Sequence, residues 1–187
     1  MTTRASGRPR FALVVGAISA IVAVAALAAC SASATLQPAF PPVGVTPPPV
    51  GTATAAARAA VTNALSVEGL QVVDAPVAYR PAEGPLFAAA PRSVIQVILP
   101  ADPGHGFITL YAFASPQAAL TAANDQAAYI ASGPGRVQFG IDARFSLRVL
   151  GSTAVFFWWS PTNSPDEHTP AIDLALAQVG TAVPIPG

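Results

Sequence analysis

Residues 144–159 read RFSLRVLGSTAVFFWW. Two β-prone runs, Arg144 to Leu150 and Thr153 to Ser160, flank Gly151-Ser152. A two-residue loop with glycine first is the signature of a type II′ hairpin. That loop fixes the register: Leu150 opposite Thr153, Arg148 opposite Val155, Ser146 opposite Phe157, Arg144 opposite Trp159. Side chains alternate across a strand. One face therefore carries Phe145, Leu147, Val149, Ala154, Phe156 and Trp158, all apolar, and is expected to pack against helices. The other carries Arg144, Ser146, Arg148, Thr153, Val155, Phe157 and Trp159.

Working outward, Arg92 to Leu99 (RSVIQVIL) and Phe107 to Phe113 (FITLYAF) are two more β-rich runs. The turn ADPGHG between them predicts a second hairpin. Ser115-Pro116 then opens a helix, serine as N-cap and proline in the first turn. Leu120, Ala123, Ala127 and Ile130 form its apolar stripe, and Gly133 stops it. Upstream, Thr52 to Glu68 is alanine-rich, with Ala57, Val61, Ala64 and Leu65 at helical spacing and Gly69 at its end. Gln71 to Asp74 is a short strand, and residues 75–91, with prolines 76, 81, 85 and 91, read as a loop. Near the C-terminus a helix begins either at the capping pattern Ser164-Pro165-Asp166-Glu167 or at Thr169-Pro170, since Pro170 conflicts with the earlier start. The expected fold class is α+β: an antiparallel sheet of about five strands, in the order α-β-β-β-α-β-β-α, with helices mainly on one face.

Composition narrows the chemistry. Of 187 residues, 52% are hydrophobic and 10% charged. There are nine arginines and no lysines. Three arginines (4, 8 and 10) sit at the N-terminus, so the rest of the chain holds six arginines against nine acids, a net charge of −3. Such a chain lacks the concentrated basic surface that nucleic-acid binding needs. One cysteine and two histidines cannot build a structural zinc site of four ligands. No phosphate-binding glycine loop and no Gly-x-Ser-x-Gly elbow occurs, and no cofactor is expected. His105 lies in the turn Asp102-Pro103-Gly104-His105-Gly106, and His168 follows Asp166-Glu167. Either is a candidate general base for a hydrolase, and for either a solvated turn or helix start is the plainer explanation. The other candidate is a surface: Phe157 and Trp159 with Arg144 and Arg148 are residue types enriched at binding hot spots. Arg144 opposite Trp159 predicts a cation–π pair. That face is either open to a partner or covered by another layer, such as the 75–91 loop.

The N-terminus carries a different message. Three positive charges precede Phe11 to Ala29, a run with no charge, and this is the layout of a secretory signal. The run ends in Leu27-Ala28-Ala29-Cys30, followed by Ser31. This tetrapeptide resembles the lipobox of bacterial lipoproteins. The resemblance implies cleavage between Ala29 and Cys30, a diacylglyceryl group on the Cys30 thiol and acylation of the new amino terminus. Two acyl chains hold a protein on a bilayer where one dissociates. Two other readings remain open: an uncleaved membrane-spanning helix over 11–29, or cleavage after Ala32-Ser33-Ala34. Residues 31–51 then contain six prolines (38, 41, 42, 47, 48 and 49). At ~3.1 Å per residue such a stretch reaches ~60 Å as a semi-rigid spacer.

The pieces VEGLQVVDAP (67–76), FITLYAFASPQAALTAA (107–123) and FSLRVLGSTAVFFWW (145–159) resemble a recurring C-terminal domain of small lipobox-bearing proteins from GC-rich bacteria. That resemblance implies no particular activity. The expected organisation is a signal peptide over 1–29, a lipidated cysteine with a proline-rich tether over 30–51, and an α+β domain over 52–187. The expected function is a membrane-anchored envelope lipoprotein on the extracytoplasmic face of a cell membrane. Its domain is expected to bind an envelope protein, or a small apolar or anionic ligand, without catalysis.

Overall fold

The computed structural model describes residues 51–186. The signal segment, Cys30 and the tether lie outside the described residues. Helix α1 (Thr52–Val67) leads into strand β1 (Val72–Asp74). A short α2 (Pro85–Ala89) interrupts the segment expected to be a loop. Strands β2 (Arg92–Val97) and β3 (Phe107–Ala112) follow. Next come α3 (Pro116–Ala131), a single turn α4 (Gly133–Arg136), then β4 (Arg144–Leu150) and β5 (Thr153–Trp159). Helix α5 (Thr169–Ala177) and a two-residue strand β6 (Thr181–Ala182) complete the chain. The fold is α+β, with one six-stranded, wholly antiparallel open sheet in the order β1-β2-β3-β5-β4-β6.

Local chemistry sets the boundaries. Gly151 takes φ +57, as the II′ loop requires, and no non-glycine among the described residues has positive φ. The β4–β5 register is the one the loop dictates, from Leu150↔Thr153 to Arg144↔Trp159. The Ser115 side chain accepts from the Ala118 N–H at 3.1 Å, capping α3. Gly69, at φ +75, reverses the chain after α1. Helix α5 starts at Thr169, with Pro170 in its first turn, where a missing N–H costs no helical bond.

Helices cover both faces of the sheet, not mainly one. Ala57, Val61 and Leu65 of α1 and Ile172 and Leu176 of α5 pack on Ile95, Val97, Leu110, Val155 and Phe157. Ala123, Ala127 and Ile130 of α3 pack on the opposite side chains, Tyr111, Leu147, Ala154 and Phe156. Topology supplies the reason. Strand β3 crosses through α3 to β4, skipping over β5, and β5 crosses through α5 to β6, skipping over β4. Both crossovers step in the same direction along the sheet, but they leave from strands that point opposite ways. Two crossovers of one hand, as the right-handed preference demands, must then use opposite faces.

Two details depart from the helical stripe and the loop. Leu120 is 38% exposed at the edge of α3, while Gln126, a polar residue, is fully buried. Gln126 earns its place by pinning the 75–91 segment. Its Nε2 donates to the Ala82 carbonyl at 3.0 Å and its Oε1 accepts from the Gly84 N–H at 2.7 Å. The segment thereby seats Phe87 against Tyr111, with ring centroids 4.2 Å apart. The Tyr111 hydroxyl donates to Glu83 at 2.7 Å, and burial pushes that phenol well above its usual pKa. Arg80 and Arg92 neutralise the Glu83 carboxylate.

Candidate functional site

The face carrying Phe157 and Trp159 is closed by α1 and α5, on the side of the sheet away from the 75–91 segment. Phe157 is 1% exposed. The Trp159 indole N–H donates to Asp173 of α5 at 2.5 Å, and burial raises the pKa of that carboxyl. The Arg144 guanidinium lies 5.7 Å from the Trp159 ring centroid, the cation–π pair that the register predicts. Arg148 donates to the carbonyls of Ala177, Val179 and Gly180. The last carbonyls of a helix lack internal partners and favour a cation, so Arg148 caps α5 onto the sheet. These four residues attach the last helix, and Phe157 presents no surface to a partner.

The two histidines come to one end of the sheet. The Ala101 N–H, in the β2–β3 turn, donates to Asp166 Oδ2 at 2.8 Å, tying that turn to the segment before α5. His105 Nδ1 is 2.6 Å from Asp102 Oδ1, and His168 Nδ1 is 2.9 Å from Asp166 Oδ1. The amides of His168 and Ala101 both donate to Asp166 and hold its carboxyl below the usual range. Each pair has the kind of carboxylate–imidazole contact that a catalytic triad uses to orient its base. No hydroxyl completes either one: among the described residues, neither ring hydrogen-bonds to a serine or threonine side chain. A shallow cleft of about 290 Å³ lies beside His168, lined by Pro100, Ala101 and Pro165. Among the described residues no group of three His, Cys, Asp or Glu is placed to hold a metal ion.

A larger cleft, about 420 Å³, runs along the outer edge of β4. It is lined by Arg144, Ser146 and Arg148 of β4, by Arg136 over Phe145 on the strand's other face, and by the C-terminal residues from Ala182 to Pro186. Strand β6 pairs only with Arg148 and Val149, and Val183 adds one more bond to the Leu147 carbonyl at 2.8 Å. Pro184 and Pro186 have no N–H to continue the ladder, so the cleft opens where the edge pairing stops. Arg136 is the member that sequence reasoning missed. It sits in α4, and only the fold brings it beside β4, with its guanidinium 5.8 Å from the Phe145 ring centroid.

In comparisons with known proteins, no family model matches the chain, and no curated protein or solved structure shows significant similarity to it.

Proposed function

We propose that this protein is exported and cut before Cys30. Lipid on that cysteine then holds it on the extracytoplasmic face of the cell membrane, or of the outer membrane in a cell that has one. The 30–51 tether carries the folded domain, which works as a binding module and not as an enzyme. One observation carries the anchor: three positive charges, an uncharged run, Leu27-Ala28-Ala29-Cys30 and the single cysteine follow one another in the required order. No helix among the described residues is long and apolar enough to cross a membrane. For the binding role, the support is an open arginine-lined cleft in a domain whose histidines lack a nucleophile in contact.

Mass spectrometry of the mature N-terminus, for wild type and Cys30→Ser, tests the anchor. The expected result is a diacylated chain beginning at Cys30, and a Cys30→Ser chain without lipid. An unlipidated wild-type chain beginning at Thr35 would overturn it.

The alternative, a surface-tethered hydrolase using His105 or His168, has the two Asp–His pairs in its favour. Its test is turnover of ester, peptide and glycan substrates by the full chain. Activity that disappears in His105→Gln or His168→Gln would replace the binding reading.

A further inference from the structure

We infer that the cleft along the outer edge of β4 is a site for a phosphate group, held by Arg136 and Arg144 with Arg148 behind them. The inference rests on the binding-module reading and supplies its ligand class. The described residues hold six arginines. Arg58 is neutralised by Asp74, and Arg80 and Arg92 by Glu83. Among the described residues Arg136, Arg144 and Arg148 have no carboxylate oxygen within 4.0 Å, and all three line this one cleft. In a domain with more acids than arginines, the three guanidiniums without an ion pair among the described residues line one cleft and give it a local positive field, tempered at Arg144 by the Asp173 carboxylate.

The three cations are held without being neutralised. Arg136 donates to the Ile141 carbonyl at 3.3 Å and lies over Phe145. Arg144 lies over Trp159, and Arg148 spends its donors on the end of α5. Rings and carbonyls fix a guanidinium yet leave its charge, and each guanidinium has five N–H donors in a rigid fork. Of the nearby acids, Asp142 accepts from Ser160 and Thr162, and Asp173 accepts from Trp159 while attracting Arg144 from beyond ion-pair distance. A phosphate monoester brings a charge of about −1.5 to −2 and three acceptor oxygens, and it pairs well with arginine forks. A lone carboxylate would leave most of the positive charge uncompensated. The loop bearing Arg136 also holds Val137 and Ile141, 76% and 95% exposed. Apolar tips beside a basic cleft suit a lipid headgroup as well as a soluble phosphate ester. The recognised group is a phosphate monoester in both, glycerol 3-phosphate in solution or phosphatidic acid in a bilayer.

The test uses the full-length protein in neutral phosphatidylcholine nanodiscs. One arm titrates glycerol 3-phosphate, and the other replaces part of the lipid with phosphatidic acid. Tryptophan emission and the amide resonances of Phe145 and Ser146 report occupancy. The expected result is a saturable response in at least one arm. Arg136→Gln should weaken it about tenfold, the loss of one or two charged hydrogen bonds, with the thermal midpoint unchanged. Arg58→Gln, on a surface ion pair, should leave the response intact. Response in the soluble arm identifies a free phosphate ester, and response only to phosphatidic acid identifies a headgroup. No saturable response in either arm, an equal response to acetate, or equal weakening by Arg58→Gln would overturn the site. The mass of the N-terminus is read on the same sample. An unlipidated protein that still binds phosphate ends the anchor alone, and a lipidated one that does not ends the site alone.

Discussion

Asp142 shows how a single side chain sets a loop. Its Oδ1 accepts from the Ser160 hydroxyl at 2.6 Å and its Oδ2 from the Thr162 N–H at 2.8 Å. These bonds, the Ser160 hydroxyl foremost, lower its carboxyl from 3.8 to about 2. A carboxyl depressed in the folded state stabilises that state above its unfolded pKa. The contribution is therefore present at pH 5 and is lost as pH falls from about 4 through 2. An NMR titration of the Asp142 carboxyl carbon should show a midpoint near 2, moving up toward 3.8 in Ser160→Ala. A native midpoint at 3.8 would mean the latch between the two loops does not form.

At the scale of elements, two glycines with the same backbone sign do different jobs. Gly69 ends α1 at φ +75 in open space, with nothing within 4 Å of where a Cβ would stand. Gly180 turns α5 into β6 at φ +57, and a Cβ there would collide with the Val149 carbonyl oxygen. Gly69→Ala should cost only the left-handed penalty, roughly 1–2 kcal/mol. Gly180→Ala adds a backbone clash and must push β6 away from β4, so it should cost more. Denaturant unfolding of both variants compares them; equal losses would show that β6 does not approach β4 so closely. Strand β6 matters because it is an edge strand. Its two residues, followed by prolines, cover part of β4 and leave little ladder for another chain to join.

The whole molecule has two cores back to back on one sheet. Phe156 and Phe157 are neighbours in sequence, each 1% exposed, yet they belong to opposite layers. Burial of either ring makes Phe→Ala costly, on the order of 3–5 kcal/mol. Since the layers share every central strand, neither has an independent scaffold. Phe156→Ala and Phe157→Ala should each lower the midpoint of one common thermal transition, followed by circular dichroism and tryptophan emission together. Two separate transitions, each sensitive to one substitution, would show that the layers melt apart. The same sharing explains why the Trp159 face is closed. A sheet with Val155 and Phe157 on one side and Ala154 and Phe156 on the other leaves water-exposed apolar area unless both sides are covered.

Signals confined to a few consecutive residues were legible without the fold. The Gly151-Ser152 loop set the β4–β5 register, Ser115-Pro116 set the start of α3, and period-two alternation set which hairpin side chains share a face. Caps, turns and pleats depend on bonds between near neighbours, and sequence spacing reports these directly. The layer each face meets could not be read this way. It follows from crossover direction and hand, which involve strands far apart in the chain. Nor was β6 visible, since two residues carry no pattern. Gln126 looks like a solvent residue on a helix until the 75–91 segment arrives to bond it. Arg136, in a four-residue turn, joins Arg144 and Arg148 only because α3 and α4 return the chain to the edge of β4. Thus the sequence alone determined the β4–β5 register and the long helices α1 and α3. The tertiary structure decided which faces are covered and that three arginines line one cleft along β4. Burial and charge convergence are sums over distant parts of the chain, and only the folded packing brings those parts together.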